Sequence, residues 1–311
     1  MHVDLLVALA GLFVGFVVGL TGMGGGALMT PMLVLLFGIQ PLAAVSSDLV
    51  ASLCMKPVGG LVHLRRGTVH KELVGWLAVG SVPSAFAGVL ILRSLGRGDG
   101  VESAVKISLG VALLVAVAMM VFKASLDVRR RVLLGPAASE PAGRVEVKRA
   151  ATVAIGAVGG LVVGMTSVGS GSLIIVALLL LYPALKTGDL VGTDLVQAVP
   201  LVGAAALGHI LFGDFSFGLT ASILIGSLPG VYVGARASAV APSWIIRRAI
   251  AVVLLASALK LLDVPTATVG YVLLGAVLVG PFIWVRIRRA IRDGADNRAA
   301  KNMEPIPVPV A

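Results

Sequence analysis

The chain has 311 residues, of which 58% are apolar and 13% are charged, and its formal net charge is +10. A soluble domain carries about 25% charged residues, so this composition excludes an ordinary water-soluble enzyme. The apolar residues run in long blocks, and about twenty such residues cross the ~30 Å of hydrocarbon in a bilayer. The sequence therefore predicts an all-α, multi-pass membrane protein.

The positive charges lie in short stretches between the apolar blocks. This distribution is typical of cytoplasmic loops, and it argues against nucleic-acid binding, which needs a basic domain with interleaved aromatic residues. The single cysteine, Cys54, has no second cysteine for a disulfide or a metal site. Because no catalytic, nucleotide-binding or metal-binding motif is present, we expect no catalytic residue, no metal and no cofactor.

Nine apolar blocks follow in chain order, near residues 5–37, 42–64, 73–92, 103–122, 151–182, 190–213, 217–240, 245–262 and 266–285. The first and fifth are the longest, and each is interrupted by a glycine-rich stretch, at 22–26 and at 169–171. Glycine weakens a helix by about 1 kcal/mol relative to alanine. Each of these blocks is therefore either one long tilted helix or a hairpin of two shorter arms.

The two halves of the chain repeat each other. Shifting the sequence by 146 positions aligns residues 48–88 with 194–234, and 11 of the 41 aligned positions are identical, including Asp48 with Asp194. Internal repeats of this kind indicate a duplicated structural unit. The predicted organisation is a first membrane repeat (1–122), a basic cytoplasmic linker (123–149), a second membrane repeat (150–262), an additional transmembrane helix (263–285) and a basic, disordered cytoplasmic tail (286–311).

Loop charge predicts the orientation of the repeats. If each glycine-broken block crosses the membrane once, the lysines and arginines divide 11 to 13 between the two sides, but if each is a hairpin they divide 20 to 4. The positive-inside rule favours the hairpins. The prediction is two inverted repeats, each with a glycine-broken helical hairpin, with the N-terminus outside and the C-terminus in the cytoplasm. Inverted repeats with broken helices are a recurring plan of secondary transporters.

Several motifs, in the same order in both halves, resemble the TauE/SafE sulfite-exporter family over about residues 5–262. They are the stretch from Gly22 to Pro31, residues 44–48, His63 to Gly67, Val191 to Asp194, His209 to Gly213, Gly226 to Gly230, Gly234 to Arg236 and Leu259 to Leu262. The resemblance implies a multi-pass transporter of the cytoplasmic membrane. Its expected substrate is sulfite or a related small sulfur-containing or carboxylated anion. The alternative is a membrane-embedded subunit or scaffold that supports a partner protein without transport of its own.

The glycine breaks are the predicted substrate-binding region. A helix that begins after such a break presents unpaired backbone N–H groups and a positive dipole end to an anion, and hydroxyl groups add donors. The alternative is tight helix packing through small residues. The predicted binding residues are Thr21, Gly24, Gly25, Gly26, Lys56, Thr166, Ser167, Gly169, Ser170 and Gly171.

Lys56 lies in an apolar run, eight residues after Asp48. A charge at the bilayer centre costs about 2.5–3.5 kcal/mol on insertion scales, so something must compensate it. Three interpretations remain: Lys56 faces the cavity and binds the anion, it pairs with Asp194, or the helix register is shifted.

The two aligned acids, Asp48 and Asp194, each precede a long apolar run. Both are expected to cap the N-terminus of a helix, and the alternative is proton uptake during an exchange cycle. His63 and His209 lie fifteen residues later and are expected to anchor helix ends at the membrane interface, and the alternative is a proton-linked role. The predicted partners are a small anion and the lipid bilayer, and the sequence leaves the oligomeric state open.

Overall fold

A computed structural model describes residues 4–21, 25–96, 98–134, 146–185, 187–237 and 243–302. Across these residues the regular structure is helical, with one isolated bridge between Gly169 and Gly171. The predicted all-helical fold class is confirmed.

Eleven helices follow one another along the described residues, and α1–α5 correspond in sequence order to α6–α10. In chain order they are α1 (Leu5–Thr21), α2 (Gly26–Phe37), α3 (Pro41–Arg65), α4 (Lys71–Ser94), α5 (Asp99–Leu134), α6 (Arg149–Thr166), α7 (Leu173–Leu181), α8 (Thr187–Phe212), α9 (Phe217–Ala237), α10 (Ser243–Leu261) and α11 (Thr266–Asn302). Six of them, α3, α4, α5, α6, α8 and α9, are long and apolar enough to cross a membrane. The chain is a multi-pass membrane protein, as predicted.

Both long apolar blocks are divided into two helices at their glycine-rich stretches. In the second break, residues 167–172, Ser167, Gly169 and Gly171 have φ angles of 60°, 132° and 93°, which cannot continue an α-helix. Beyond it, α7 runs back along α6, because the hydroxyl of Tyr182 lies 2.6 Å from that of Thr152 near the start of α6. The fifth block is therefore a hairpin. The first break lies between α1 and α2, and its residues 22–24 are outside the described residues.

The prediction that Asp48 and Asp194 cap helices is wrong. α3 begins at Pro41 and α8 at Thr187, so each acid is the eighth residue of its helix. Proline suits the first helical position because its fixed φ matches the helix and its missing N–H would have no partner there. Since α3 starts seven residues before Asp48, Lys56 lies farther along its helix than predicted.

The first helix of each half packs against the fourth helix of the other half. α1 lies parallel to α9, with Gly226 against the backbone of Ala8 and Gly234 against that of Phe16. α6 lies against α4 in the same way, through Gly164. Small residues allow such close backbone approach in membrane helices, so the two halves are interlocked.

The corresponding helices α3 and α8 meet at the centre and run antiparallel. Ser46, near the start of α3, hydrogen-bonds His209, near the end of α8, at 2.8 Å. Gly60, late in α3, packs against Val196, early in α8. The largest buried apolar cluster surrounds α4, α7 and α8 and holds this central pair in place.

Two helices extend beyond their predicted ends. α5 continues to Leu134, so residues 123–134 of the predicted linker are helical, and 135–145 lie outside the described residues. α11 continues to Asn302, which makes residues 286–302 of the predicted disordered tail helical, while 303–311 lie outside the described residues. Arginine, lysine and alanine, frequent in both extensions, are good helix formers.

Candidate functional site

The two breaks touch each other inside the bundle. Gly26, the first residue of α2, lies directly against the backbone of Ser167 in the second break. The Ser167 hydroxyl donates to Oδ2 of Asp48 at 2.7 Å, and the Thr30 hydroxyl donates to the same oxygen at 2.8 Å. Because Asp48 is fully buried, its carboxylate ties α2, α3 and the second break together.

Lys56 reaches the second break from α3. Its side chain is 8% exposed, and Nζ donates to Oγ of Ser170 at 2.5 Å. The charges of Asp48 and Asp194 attract this ammonium. Neither carboxylate lies within the 4.0 Å of a salt bridge, because the ion pair at that distance among the described residues is the exposed pair of Lys106 and Asp263. Lys56 therefore brings a positive charge to the break without a direct ionic partner.

Asp194 approaches the same break from α8. Its side chain is 1% exposed, and its carboxylate lies near the backbone N–H of Gly171. Its Oδ1 is buried and has no hydrogen-bond partner in the described part of the chain. Lys56 on α3 and Lys123 on α5 both attract its charge. Asp48 and Lys56 on α3 and Asp194 on α8 thus bring three charged side chains to the region of the second break.

A small cavity lies between the two breaks. Its walls include Thr21 and Ala27 at the first break, residues 170–172 at the second, and Met120 and Leu254 from α5 and α10. The enclosed volume is about 20 Å³, which is room for about one water molecule. The cavity is therefore too small for a polyatomic anion in this conformation.

The structure brings most of the predicted binding residues together. Gly25 and Gly26 form the start of α2, while Ser167, Gly169, Ser170 and Gly171 form the connection between α6 and α7. Lys56 contacts this connection through Ser170. Gly24 lies outside the described residues.

Thr21 is the last residue of α1, and Thr166 is the last residue of α6. The Thr21 hydroxyl donates to the carbonyl oxygen of Val17 at 2.8 Å, and the Thr166 hydroxyl donates to that of Val162 at 2.6 Å. Both hydroxyl protons are used within their own helices, so in this conformation they are not offered to a ligand.

Sequence reasoning missed several polar side chains near this region. Gln197 donates from Nε2 to Oγ of Ser81 at 2.5 Å, and its Oε1 is buried without a partner among the described residues, as is Oγ of Ser52. Ser81 belongs to a Gly-Ser-x-Pro motif that is duplicated in the second half, a signal that was available. Thr30 and Lys123 carried no such signal. Thr30 lies within the first apolar block, and Lys123 directly follows the fourth apolar block.

The two aligned histidines have different surroundings. His209 is fully buried, with Nδ1 2.8 Å from Oγ of Ser46 and Nε2 2.8 Å from the carbonyl oxygen of Gly164. The expected interfacial position is therefore wrong for His209, which joins α8 to α3 and α6 instead. His63 is half-buried near the end of α3, with Nδ1 2.9 Å from Oγ1 of Thr68.

The chemistry of this region suits an anion better than a metal ion. Within the described ranges, no group of three or more histidine, cysteine, aspartate or glutamate side chains is placed to hold a metal. Lysine ammonium groups, hydroxyl groups and backbone N–H groups are hydrogen-bond donors that an anion accepts. Buried carboxylates inside a membrane are typical of proton relays.

Comparisons with known proteins agree with this chemistry. The sequence profile of the family described as "Sulfite exporter TauE/SafE" matches residues 7–261. The "Probable membrane transporter protein YjnA" of Bacillus subtilis (strain 168) is 40% identical over 236 residues, which cover 75% of this chain and 89% of that protein. The "Probable membrane transporter protein YdhB" of the same organism is 26% identical over 254 residues, with 79% and 95% covered. No solved structure matches the chain.

The family match begins in α1 and ends with α10, so it includes both breaks and every residue of the region described above. Together with the membrane-crossing helices, it makes the chain a membrane transporter rather than an enzyme. The chain belongs to the TauE/SafE sulfite-exporter family.

Proposed function

We propose that the protein moves sulfite, or a related small sulfur-containing or carboxylated anion, across the cytoplasmic membrane by alternating access. The anion binds between the two breaks, beside Lys56 and Ser170. Family membership supports the substrate class, since the matching family is described as sulfite exporters. Secondary transporters commonly bind substrate where broken helices meet near the middle of the membrane, and this location agrees with the cavity between the two breaks.

The observation that carries the proposal is the position of Lys56. A buried lysine within a membrane-crossing helix is costly, and neither nearby carboxylate lies at salt-bridge distance. Among the residues that the structure describes, its hydrogen bond is to the neutral hydroxyl of Ser170. An anion bound at the break would provide the missing ionic partner, and the Ser170 hydroxyl and the backbone N–H groups of the breaks would add neutral donors around it.

The interlocked halves support alternating access. The antiparallel contact of α3 with α8, and the exchange of α1 and α6 between halves, are what two inverted repeats would produce. In such transporters one repeat moves against the other around a fixed site. The cavity of about 20 Å³ agrees with a closed state that must open to admit an anion.

We also infer that the N-terminus lies outside the cell and the C-terminus in the cytoplasm. The support is the division of lysines and arginines, 20 on the inner side and 4 on the outer side, when both broken blocks are hairpins. The hairpin formed by α6 and α7 agrees with this count. The basic segments at 123–149 and 286–311 then face the cytoplasm.

Uptake of radiolabelled sulfite into liposomes that contain only this chain tests the function. Lys56→Met is expected to reduce sulfite affinity about 10- to 150-fold, because a hydrogen bond to a charged group contributes about 1.5–3 kcal/mol. Lys56→Arg keeps the charge and should retain part of the affinity. Lys106→Met removes an exposed lysine that pairs with Asp263 and serves as the matched control.

Two results would contradict the proposal at different levels. Normal sulfite affinity in a folded Lys56→Met variant would remove Lys56 from the site. Failure of the wild-type chain to transport sulfite, thiosulfate or sulfoacetate would favour a subunit or scaffold that supports a partner protein.

A further inference from the structure

We propose that His209 is a positioning residue for the substrate site: from α8 it caps the carboxyl end of α6, and it thereby fixes the second break. This inference rests on the proposed function, because the second break carries the hydroxyl that binds Lys56. It gives a role in substrate binding to a histidine whose own hydrogen bonds go to none of the proposed binding residues.

The second break leaves one backbone carbonyl of α6 without its helical partner. In a continuous helix the N–H of Val168 would donate to the carbonyl oxygen of Gly164. The chain is left-handed at Ser167, where φ is 60°, and the N–H of Val168 donates instead to the hydroxyl oxygen of Thr166 at 3.2 Å. The carbonyl of Gly164 is therefore one of the acceptors that the end of a helix leaves unpaired.

His209 supplies the missing donor from another helix. Its Nε2 lies 2.8 Å from the carbonyl oxygen of Gly164, and its side chain is fully buried. Because a carbonyl oxygen only accepts, Nε2 must carry the proton of this hydrogen bond. A buried carbonyl without a partner is costly, so the contact stabilises the end of α6.

Ser46 on α3 allows the imidazole to keep this contact in both of its protonation states. The Ser46 hydroxyl lies 2.8 Å from Nδ1 of His209 and 2.7 Å from the carbonyl oxygen of Leu42. When the ring is neutral, the hydroxyl donates to Nδ1. When the ring is charged, the hydroxyl donates to Leu42 and accepts from Nδ1. Nε2 carries a proton in either state, so the hydrogen bond to Gly164 does not depend on the charge of the ring.

The capped carbonyl lies shortly before the two serine hydroxyl groups of the site. Ser167 donates to Asp48, and Ser170 accepts from Lys56. The path of the chain through the break begins at the end of α6, so both hydroxyl groups would shift if that end were not fixed. His209 therefore holds them in place without contacting the anion.

The aligned histidine of the first half has a different contact. His63 is half-buried, and its Nδ1 lies 2.9 Å from Oγ1 of Thr68, just beyond the end of α3. This contact joins residues only five positions apart and does not connect two helices. The capping role therefore belongs to His209 and not to His63.

Two substitutions separate the cap from the other contact of His209. The amide nitrogen of glutamine lies as many bonds from the backbone as Nε2 and can donate to Gly164, whereas that of asparagine corresponds to Nδ1 and reaches Ser46 only. The measurement is hydrogen–deuterium exchange of the purified full chain in peptides that cover residues 165–172. His209→Asn leaves a buried carbonyl unsatisfied, so exchange there should be about 5- to 150-fold faster than in wild type. His209→Gln and the control His63→Asn should stay close to wild type.

Sulfite binding by the same proteins connects the cap to the site, because Kd should rise for His209→Asn and stay near the wild-type value for His209→Gln. If wild type binds no sulfite, the proposed function fails, while faster exchange in His209→Asn alone would still support the cap. Equal exchange in the two His209 variants, or faster exchange in His209→Asn with an unchanged Kd, would overturn the inference. If neither variant folds, NMR of wild type with nitrogen-labelled histidine decides: a slowly exchanging proton on Nε2 of His209 supports the inference, and an Nε2 without a proton contradicts it.

Discussion

Gly26 is the position where one added methyl group tests the contact between the breaks. A Cβ at Gly26 would lie 2.8 Å from the carbonyl carbon of Ser167, with the carbonyl oxygen closer still. The obstacle is backbone, and Ser167 already has a left-handed φ of 60°, so it cannot retreat easily. Overpacking of this kind costs about 1–3 kcal/mol, so we expect Gly26→Ala to push the two breaks apart.

Gly25 provides a matched control one residue earlier. A Cβ there would lie 3.3 Å from the terminal methyl of Met55 and 3.8 Å from a methyl of Val18. The end of a methionine side chain moves at little cost. Gly25→Ala should therefore leave thermal stability nearly unchanged, although it sits in the same break and removes the same conformational freedom.

Thermal unfolding of the purified chain measures the difference. At about 2–4 °C per kcal/mol for a large domain, Gly26→Ala should melt about 2–12 °C below Gly25→Ala, and its sulfite uptake should fall with it. If the two variants melt at the same temperature and transport sulfite equally, the close approach of the breaks is not required and the reasoning is refuted.

Two further predictions concern stability and orientation. Asp48→Ala leaves two buried hydroxyl groups without an acceptor. Each unsatisfied group costs about 1–3 kcal/mol of stability, so the melting temperature of this variant should fall well below that of wild type. An unchanged melting temperature would mean that water replaces the carboxylate. In a chain carrying Cys54→Ser, single cysteines at 99 and 214 should react with an impermeant maleimide from outside, and one at 71 should not. The reverse pattern would invert the proposed topology.

Repetition and glycine content were the parts of the architecture that sequence could reveal. Helix formation depends on residues that are close together in the sequence, so an apolar block with a glycine-rich interruption indicates two helices separated by a break. The helix starts were harder to find, because Asp48 follows two serines and looks like a cap. Pro41 is itself a start signal, and it was the better one here.

The contacts of the site could not be predicted in the same way. The hydrogen bond of Lys56 to Ser170 joins residues 114 positions apart, and that of Ser167 to Asp48 spans 119 positions. Both depend on how two halves pack, which no local pattern encodes. The duplication suggested that Asp48 and Asp194 would be equivalent, yet their surroundings differ because only one of the breaks supplies Ser167.

The exchange of first helices between halves has a consequence for biogenesis. α1 packs its glycines against α9, which leaves the ribosome about 210 residues later. At about 5–20 residues per second, α1 waits on the order of 10–40 s in the membrane before its partner exists. During that interval its small-residue face is open to lipid or to other helices. The N-terminal half is therefore not a self-sufficient folding unit, and α1 takes its final place only after α9 has been synthesised.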